Sequence, residues 1–314
     1  MQIGSNFAIQ LGEMMMTERN GYAVTVGFFD GVHTGHRFLA EHLKKVAAER
    51  GLMSRIVTFE EHPRQVIQSD YRPMLLSEPQ DKIRRLQETG VDLCTQLHFT
   101  KEMAGMDARS FMEHILRDRL GAKCLLMGHD HRFGHDCITD FGTYRKLGEQ
   151  IGIEVVRSEA MKIGDLPVSS SRIRHCLAEG DVSSAAELLG YPYAVTGTVI
   201  HGMQNGRRMG FPTANLDLRC KLLQIPKGGV YAAWATVQGE TFKSMLNIGF
   251  RPTIGDNSTT RTIEAHLLDF DRDIYGEELT LWFVRFIRAE HRFDSLDSLA
   301  VQLQSDRMTV SNVL

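Results

Sequence analysis

The alternation of apolar and polar positions divides the chain into two parts with different predicted structures. From about residue 20 to 160, short β-rich runs alternate with segments whose apolar residues recur at helical spacing. This alternation predicts an α/β domain, in which helices cover a mostly parallel sheet through right-handed crossovers. The predicted strands are residues 23–26, 55–59, 93–99, 123–127 and 153–156.

Capping residues and glycines predict where the helices begin and end. The helix after the first strand keeps its apolar spacing until Gly51. Asp107 is placed to cap a helix that ends at Gly121. A short helix is predicted over 182–189, stopped by Gly190. We place the boundary near residue 186, which gives domains of residues 1–186 and 187–314.

The second part of the chain predicts a small antiparallel β-barrel. After about residue 190, Gly, Thr, Val and aromatic residues dominate, and helical periodicity nearly disappears. Strands are predicted at 194–200, 231–237, 243–248, 262–268 and 279–288. A terminal helix is predicted over 295–304, because Leu296, Leu299 and Leu303 recur at helical spacing.

Composition narrows the class of protein. With 314 residues, the chain is long enough for two domains that each bury a core. A formal net charge of -3 gives no electrostatic reason to expect nucleic acid as a partner. Five scattered cysteines argue against disulfides and structural zinc, and no apolar run approaches the length of a membrane span. We therefore expect a cytoplasmic protein that binds neither membrane nor nucleic acid, with its oligomeric state left open.

The segment from Gly27 to His36 carries the first candidate site. It follows a predicted strand and opens a predicted helix, and it brings His33 and His36 to that junction. Free N–H groups and the positive end of the helix dipole bind phosphate at such a junction, which suits a nucleoside triphosphate. Histidines at a helix start are otherwise often caps or surface residues. Metal ligation is a weaker alternative, because no acidic third ligand lies nearby in a zinc-protease arrangement.

Two other segments of the first part lie where ligands could bind. Ser170, Ser171 and Arg172 stand at the start of another predicted helix, where hydroxyls and a guanidinium could hold phosphate or merely cap the helix. Asp130, Arg132 and Phe133 follow a predicted strand, where an open α/β sheet binds ligands. We expect them to hold an acceptor substrate, with the aromatic ring stacked on a flat heterocycle. A solvated loop is the alternative.

In the second part, Thr213 and Asn215 are candidate ligands of Mg²⁺. Both offer oxygens, and magnesium commonly takes few protein oxygens and completes its shell with phosphates and water. For an isolated Pro-Thr-Ala-Asn, a proline or Asx-type turn would be the better explanation.

Glu264 is the candidate general base of the second part. Flanked by apolar residues in a predicted strand, it is expected to point into the barrel, with an outward surface glutamate as the alternative. As a base it could accept the proton of a substrate hydroxyl that attacks the γ-phosphate of a nucleotide.

The two helix-start segments together resemble the nucleotidylyltransferase superfamily, whose adenylyl-transferring members carry H-x-G-H and a later Ser-rich segment with a basic residue. The resemblance implies a Rossmann-like domain and attack on the α-phosphate of ATP. It also implies that His33 and His36 stabilise the transition state, while Ser170, Ser171 and Arg172 hold the leaving pyrophosphate.

The second part resembles riboflavin kinase, through Pro-Thr-Ala-Asn at 212–215, Lys-Gly-Gly-Val-Tyr at 227–231, Asn-x-Gly-x-Arg-Pro-Thr at 247–253 and Phe-Ile-Arg-Ala-Glu at 286–290. From about residue 20 to 305, the chain resembles the bacterial bifunctional riboflavin kinase/FAD synthetases. The resemblance implies that the second domain phosphorylates riboflavin to FMN with ATP and Mg²⁺. The first domain would adenylylate FMN to FAD, so that FMN and FAD are product ligands.

The resemblance also assigns residues to two sites. The ATP site of the first domain would include Gly27, Phe29, Asp30, Gly31, His33, Gly35 and His36. The kinase site would include Gly210, Pro212, Thr213, Asn215, Asn247, Arg251 and Glu264.

Two departures from the family pattern leave alternatives open. Phe28 stands where many members of the family have Asn, and residues 135–140 lack the usual basic and Gly-rich character. The first domain could therefore be inactive or adenylylate a different acceptor beside a working kinase. A flavin sensor or carrier without catalysis is the other alternative, although binding alone would not need Glu264.

Overall fold

A computed structural model describes residues 21–68, 70–129, 131–136, 138, 140–202, 206, 210–252 and 259–314. The chain forms two compact units. The first runs to Pro73 and resumes over Pro79–Pro167, and the second comprises Met74–Glu78 and Val168–Leu314. The predicted boundary at residue 186 falls within the second unit, so residues 168–186 have most of their contacts with the barrel half.

The first unit is built on a five-stranded sheet in the order β3-β2-β1-β4-β5, parallel throughout. Its strands are β1 (Tyr22–Val26), β2 (Met53–Phe59), β3 (Leu93–Leu97), β4 (Ala122–Met127) and β5 (Glu154–Arg157). Each overlaps a predicted strand, and a two-stranded hairpin follows, β6 (Lys162–Ile163) with β7 (Leu166–Pro167). Neighbouring residues of β1 belong to different apolar clusters, Val24 to one and Ala23 to the other, so the core lies on both faces of the sheet.

The helices of the first unit connect these strands. They are α1 (Thr34–Glu49), α2 (Pro63–Ile67), α3 (Pro79–Gln87), α4 (Lys101–Ala104), α5 (Ala108–Ser110) and α6 (Phe141–Ile151). The helix predicted from the Asp107 cap to Gly121 begins as α5 and continues as a π-helix over Phe111–Arg119. The widened turn accommodates both Leu116 and Phe111 in the core.

From Val168 onward, the second unit contains two helices and then a closed barrel. The helices are α7 (Ser170–Glu179) and α8 (Val182–Leu189). The barrel strands are β8 (Ala194–Ile200), β9 (Ala214–Leu218), β10 (Gly229–Val237), β11 (Glu240–Pro252), β12 (Thr259–Leu267) and β13 (Glu278–Arg288). They are hydrogen-bonded in the order β10-β11-β12-β9-β8-β13. The predicted small antiparallel barrel is confirmed.

A terminal helix, α9 (Leu296–Val313), covers part of the barrel's outer face. Val310 packs in one apolar cluster with Met245 of β11 and Ala232 of β10. A buried ion pair adds to this contact, because Asp306 accepts from the Arg288 guanidinium at 2.8 Å and is only 2% exposed. The helix extends nine residues beyond its predicted end at residue 304, and the contacts of Asp306 and Val310 with the barrel lie in this additional part.

None of the helices in the described ranges has both the length and the apolar run that a bilayer crossing requires.

Candidate active sites

The turn that follows β1 has an unusual backbone. Phe29 has a φ of 57° and Val32 a φ of 39°, a left-handed conformation that side chains with a Cβ rarely adopt, and Gly31 between them has a φ of 75°. Asp30–Val32 form a single 3-10 turn whose residues are all buried. The turn leads directly to His33 at the carboxyl edge of the sheet, where the sequence predicted a phosphate site.

His33 caps helix α1 and its ring stacks on the ring of His36. The Nδ1 atom of His33 accepts a hydrogen bond from the His36 backbone N–H at 3.3 Å, so the neutral ring carries its proton on Nε2. The two ring centroids are 3.6 Å apart and nearly parallel. The structure therefore brings the two predicted histidines together at the start of α1.

His36 is held as a neutral ring. Burial lowers its pKa well below the usual value of 6.5, and the neighbouring His33 lowers it further. Its Nδ1 is sealed from solvent and has no hydrogen-bond partner among the described residues. Phe29, expected at the ATP site, packs edge-on against the His36 ring with centroids 5.1 Å apart. The lowered pKa favours a neutral His36 ring at neutral pH.

Phe28 and a lysine that the sequence analysis missed lie beside this turn. The half-buried ring of Phe28 contacts the His62 ring, with centroids 4.8 Å apart. The same ring also contacts Lys82, whose Nζ lies 3.9 Å from the Phe28 centroid. No motif singles out Lys82, but a lysine at an apolar position of an amphipathic helix was a signal that could have found it.

The loop after β4 holds its candidate residues differently. Asp130 lies outside the described residues, and Arg132 is exposed. Phe133 is half-buried and packs against Phe111 and Tyr144, and its backbone both donates to and accepts from the Tyr144 hydroxyl. The ring is thereby fixed in place, and its stacking on a substrate stays a prediction.

Ser170, Ser171 and Arg172 open helix α7, which belongs to the second compact unit. The cap itself is Ser169, whose side chain accepts from the Arg172 backbone N–H at 3.3 Å. Ser171 is exposed and Arg172 is half-buried. Their cooperation with the histidines of the first unit stays a prediction.

The barrel carries a row of three polar residues set by strand register. Glu264 of β12 lies directly opposite Asn247 of β11 on one side and Asn215 of β9 on the other. Directly opposite residues share a face of the sheet, so these three half-buried side chains form one row. The register thus aligns a carboxylate with two carboxamides, which the sequence alone could not show.

The expectation that Glu264 points into the barrel is wrong. Met245 lies two residues from Asn247 on the same face, and that face packs against α9 outside the barrel. The fully buried Ala265 and Leu246 alternate with the polar row and face the interior. Alternation misled the prediction because α9 and Phe211 bury apolar residues on the outer face as well.

Two tight contacts surround this polar row. A Cβ on Gly202 would lie 2.2 Å from the Asn215 Nδ2, so only glycine lets the chain pass so close to that amide. The Asn247 Nδ2 donates to Glu290 Oε1 at 3.2 Å, and the same carboxylate oxygen is 2.8 Å from where a Cβ on Gly249 would be.

The Pro-Thr-Ala-Asn segment lies between this row and a cavity. The Pro212 carbonyl accepts from His266 Nδ1 at 2.8 Å, and burial lowers the pKa of His266, which keeps its ring neutral. Gly210 turns the chain before it with a φ of 80°. The cavity has a volume of about 380 Å³ and is lined by Thr213, Ala265, Leu267, Arg272 and Tyr275, among others. Arg251 is in β11, but its side chain lies outside the described part.

Comparison with known proteins assigns each half of the chain. Residues 15–172 match the family model described as FAD synthetase, and residues 189–314 match the one described as riboflavin kinase. A crystal structure titled as a macrolide-efflux protein from Streptococcus pneumoniae has 31% identity and a TM-score of 0.83, covering 94% of this chain and 95% of that chain. The fold and the matches define a two-domain phosphoryl- and nucleotidyl-transferase.

Curated relatives narrow this class further. The bifunctional riboflavin kinase/FMN adenylyltransferase of Escherichia coli strain K12 is 36% identical, with 93% of this chain and 92% of that protein covered. The Haemophilus influenzae protein of the same name is 37% identical, with coverage of 91% and 92%. The chain belongs to the family of bifunctional riboflavin kinase/FMN adenylyltransferases. The identification from sequence motifs is confirmed, and with it the two enzymatic activities.

Proposed function

We propose that the polar row on the barrel is the riboflavin kinase site and that the turn after β1 is the ATP site of the adenylyltransferase. The observation that carries the kinase assignment is the register that aligns Asn215, Glu264 and Asn247. The chain makes FMN from riboflavin at the first site and FAD from FMN at the second, consuming ATP at each step.

In the kinase reaction, Glu264 acts as the general base. It accepts the proton of the terminal ribityl hydroxyl of riboflavin while that oxygen attacks the γ-phosphorus of ATP, and ADP leaves. The carboxylate is half-buried on a face shared with two amides, so neighbouring donors can orient the hydroxyl before transfer. The cavity beside Thr213 is of a size that accepts part of a nucleotide or a flavin ring.

The donors near Glu264 fit a magnesium ion. Thr213 and Asn215 offer a hydroxyl and an amide oxygen, and the close passage of Gly202 fixes the position of the Asn215 amide. No group of three histidine, cysteine or carboxylate side chains forms a metal cage within the described ranges. This pattern matches a magnesium bound mainly by ATP phosphates and water, which would offset phosphate charge during transfer.

In the adenylyl transfer, the phosphate oxygen of FMN attacks the α-phosphorus of ATP and pyrophosphate leaves. Because the FMN phosphate is the nucleophile, no residue of the chain need be one, and catalysis depends on positioning and on donors aimed at the developing charge. The His33 ring and the backbone N–H groups at the start of α1 would supply such donors, and the His36 ring stacks on the His33 ring. Ser170, Ser171 and Arg172 would hold the leaving pyrophosphate.

The test is a single incubation of the full chain with riboflavin, ATP and Mg²⁺, with FMN and FAD followed separately by chromatography. We expect FMN to appear first and FAD afterwards. FMN alone would contradict the adenylyltransferase assignment, and binding of riboflavin with neither product would favour a sensor or carrier. In this scheme, the ligands of the protein are the small molecules riboflavin, FMN and ATP.

A further inference from the structure

A buried lysine connects the carboxyl ends of two neighbouring strands below the turn after β1. Lys82 of α3 is 2% exposed, and its Nζ donates to the carbonyl of Phe59, the last residue of β2, at 2.7 Å. The same Nζ lies 3.9 Å from the centroid of Phe28, the second residue after β1. One ammonium thus contacts both the last residue of β2 and the segment that follows β1, and these two strands are neighbours in the sheet.

The turn needs such support because its backbone is strained. Phe29 and Val32 both have a positive φ, a conformation that persists only where the surroundings impose it. Helix α3 packs against the Asp30–Val32 turn, and the Thr58 hydroxyl donates to the Phe28 carbonyl at 3.1 Å. The histidines follow directly, so a shift of Phe28 would displace the His33 ring.

A charged group at this position is not explained by stability. Burial lowers the pKa of Lys82 to about 8, although the Asp30 carboxylate and, less strongly, Cys94 of β3 raise it. Burial raises the pKa of the Cys94 thiol to about 11, so near pH 8 that group is uncharged. On α3 itself, Asp81 is engaged by Arg84. An unbranched apolar side chain would fill the same space without the cost of burying an ammonium.

We propose that Lys82 is a positioning residue for adenylyl transfer, whose ammonium holds the Phe28–Asp30 turn and adds positive charge below the triphosphate site. The proposal rests on the assignment of that turn to ATP. The ring face of Phe28 is the contact through which the charge acts, since an ammonium is attracted to the π-face of an aromatic ring. The Phe59 carbonyl fixes the ammonium in place.

The proposal is tested in the full chain with Lys82→Met and Lys82→Arg, assayed for FAD formation from supplied FMN and for FMN formation from riboflavin. We expect Lys82→Met to lower kcat for FAD formation by about 10- to 100-fold, with a smaller change in KM, and to leave FMN formation within about two-fold. Lys82→Arg should recover part of the loss. Lys146→Met, which removes an exposed lysine of α6, is the matched control.

The pH profile separates this role from a merely structural one. FAD formation by the parent should fall as pH rises through about 8, where Lys82 loses its proton. This alkaline limb should be absent in Lys82→Met and shifted upward in Lys82→Arg, because a guanidinium stays charged. An unchanged limb in Lys82→Met overturns the proposal. So does a fall in thermal stability that accompanies loss of both activities.

Two further variants complete the test. Phe28→Leu removes the ring face and keeps an apolar side chain, so its effect on FAD formation should be less than additive with that of Lys82→Met. Additive effects overturn the proposed contact. If His36→Asn abolishes FAD formation while Lys82→Met retains it, Lys82 alone is wrongly assigned. If both variants retain it, the assignment of the turn to ATP fails, and the Lys82 proposal fails with it.

Discussion

The two candidate sites both handle ATP, yet their geometry has opposite origins. The turn after β1 contains two non-glycine residues with positive φ, and stacked rings and a buried lysine hold it from outside. The polar row on the barrel lies in regular antiparallel strands, where register alone places Glu264 between two amides. The activity of the first site should therefore depend on the residues that support the turn. The activity of the second should depend on the identity of the side chains in the polar row.

The largest effect is expected at Glu264, where side-chain identity matters most. Glu264→Gln keeps the shape of the side chain and one acceptor oxygen but removes the base, so riboflavin kinase turnover should fall by about 10² to 10⁴-fold. Riboflavin binding, measured by fluorescence titration, should change little. FAD formation from supplied FMN should stay at the level of the parent.

The matched control is Glu277→Gln, an exposed glutamate between β12 and β13. A kinase rate for Glu264→Gln within a few-fold of that of Glu277→Gln would refute the base assignment.

The second-largest effect is expected on FAD formation when His36 in the first site is replaced. His36→Asn removes the ring that supports His33, and FAD formation should fall by roughly 10²-fold, as for loss of one preorganised donor. FMN formation by the barrel should be unaffected. The exposed His114 provides the control variant His114→Asn. Loss of both activities together would show that misfolding, not the site, explains the change.

The third prediction tests whether the barrel site also depends on a neighbouring residue, Gly202, which passes close to Asn215. Gly202→Ala places a methyl group against the Asn215 amide, which must move away. We expect KM for MgATP in the kinase reaction to rise roughly tenfold, equivalent to about 1.4 kcal/mol. Gly105→Ala is the control, since its Cβ would meet only ordinary contacts. An unchanged KM would mean that Asn215 does not contact the nucleotide or its metal.

The smallest effect concerns stability and pH. The folded-state pKa of His36 lies below its unfolded value near 6.5, so the unfolded chain takes up a proton that the folded chain does not. Stability should therefore decrease as pH falls below about 6.5, by at most about 1.4 kcal/mol per pH unit from this one group. Thermal unfolding of the parent and of His36→Asn between pH 7.5 and 5.5 measures it. Parallel stability curves would contradict a buried neutral His36.

Sequence reasoning located most of the strands of both halves because their patterns are local. The runs ending at Val26, Phe59 and Met127 are each apolar, β-rich and bounded by turns, and each forms a strand of the sheet. The phosphate turn was also found locally, because the glycines and histidines lie within ten residues of one another.

What the sequence could not show depends on contacts between distant residues. The pairing of Glu264 with Asn247 and Asn215 is a matter of register across three strands, and it reversed the predicted orientation of Glu264. The strand β9 was not predicted, although it begins within the Pro-Thr-Ala-Asn motif that was singled out for its candidate magnesium ligands. The predicted stripe of α9 includes Leu296, which is 70% exposed, while the buried Asp306 depends on an arginine of β13.

The closed order of the barrel has a consequence for association between molecules. The strand order of the barrel closes on itself, so the barrel has no edge strand to which a foreign strand could add. Within the described residues, the open sheet of the first unit ends at β3 and β5, and each of these strands has a neighbouring strand on one side only. If molecules of this protein aggregate by strand addition at high concentration, the added strand pairs with β3 or β5, and the barrel does not take part in the new pairing.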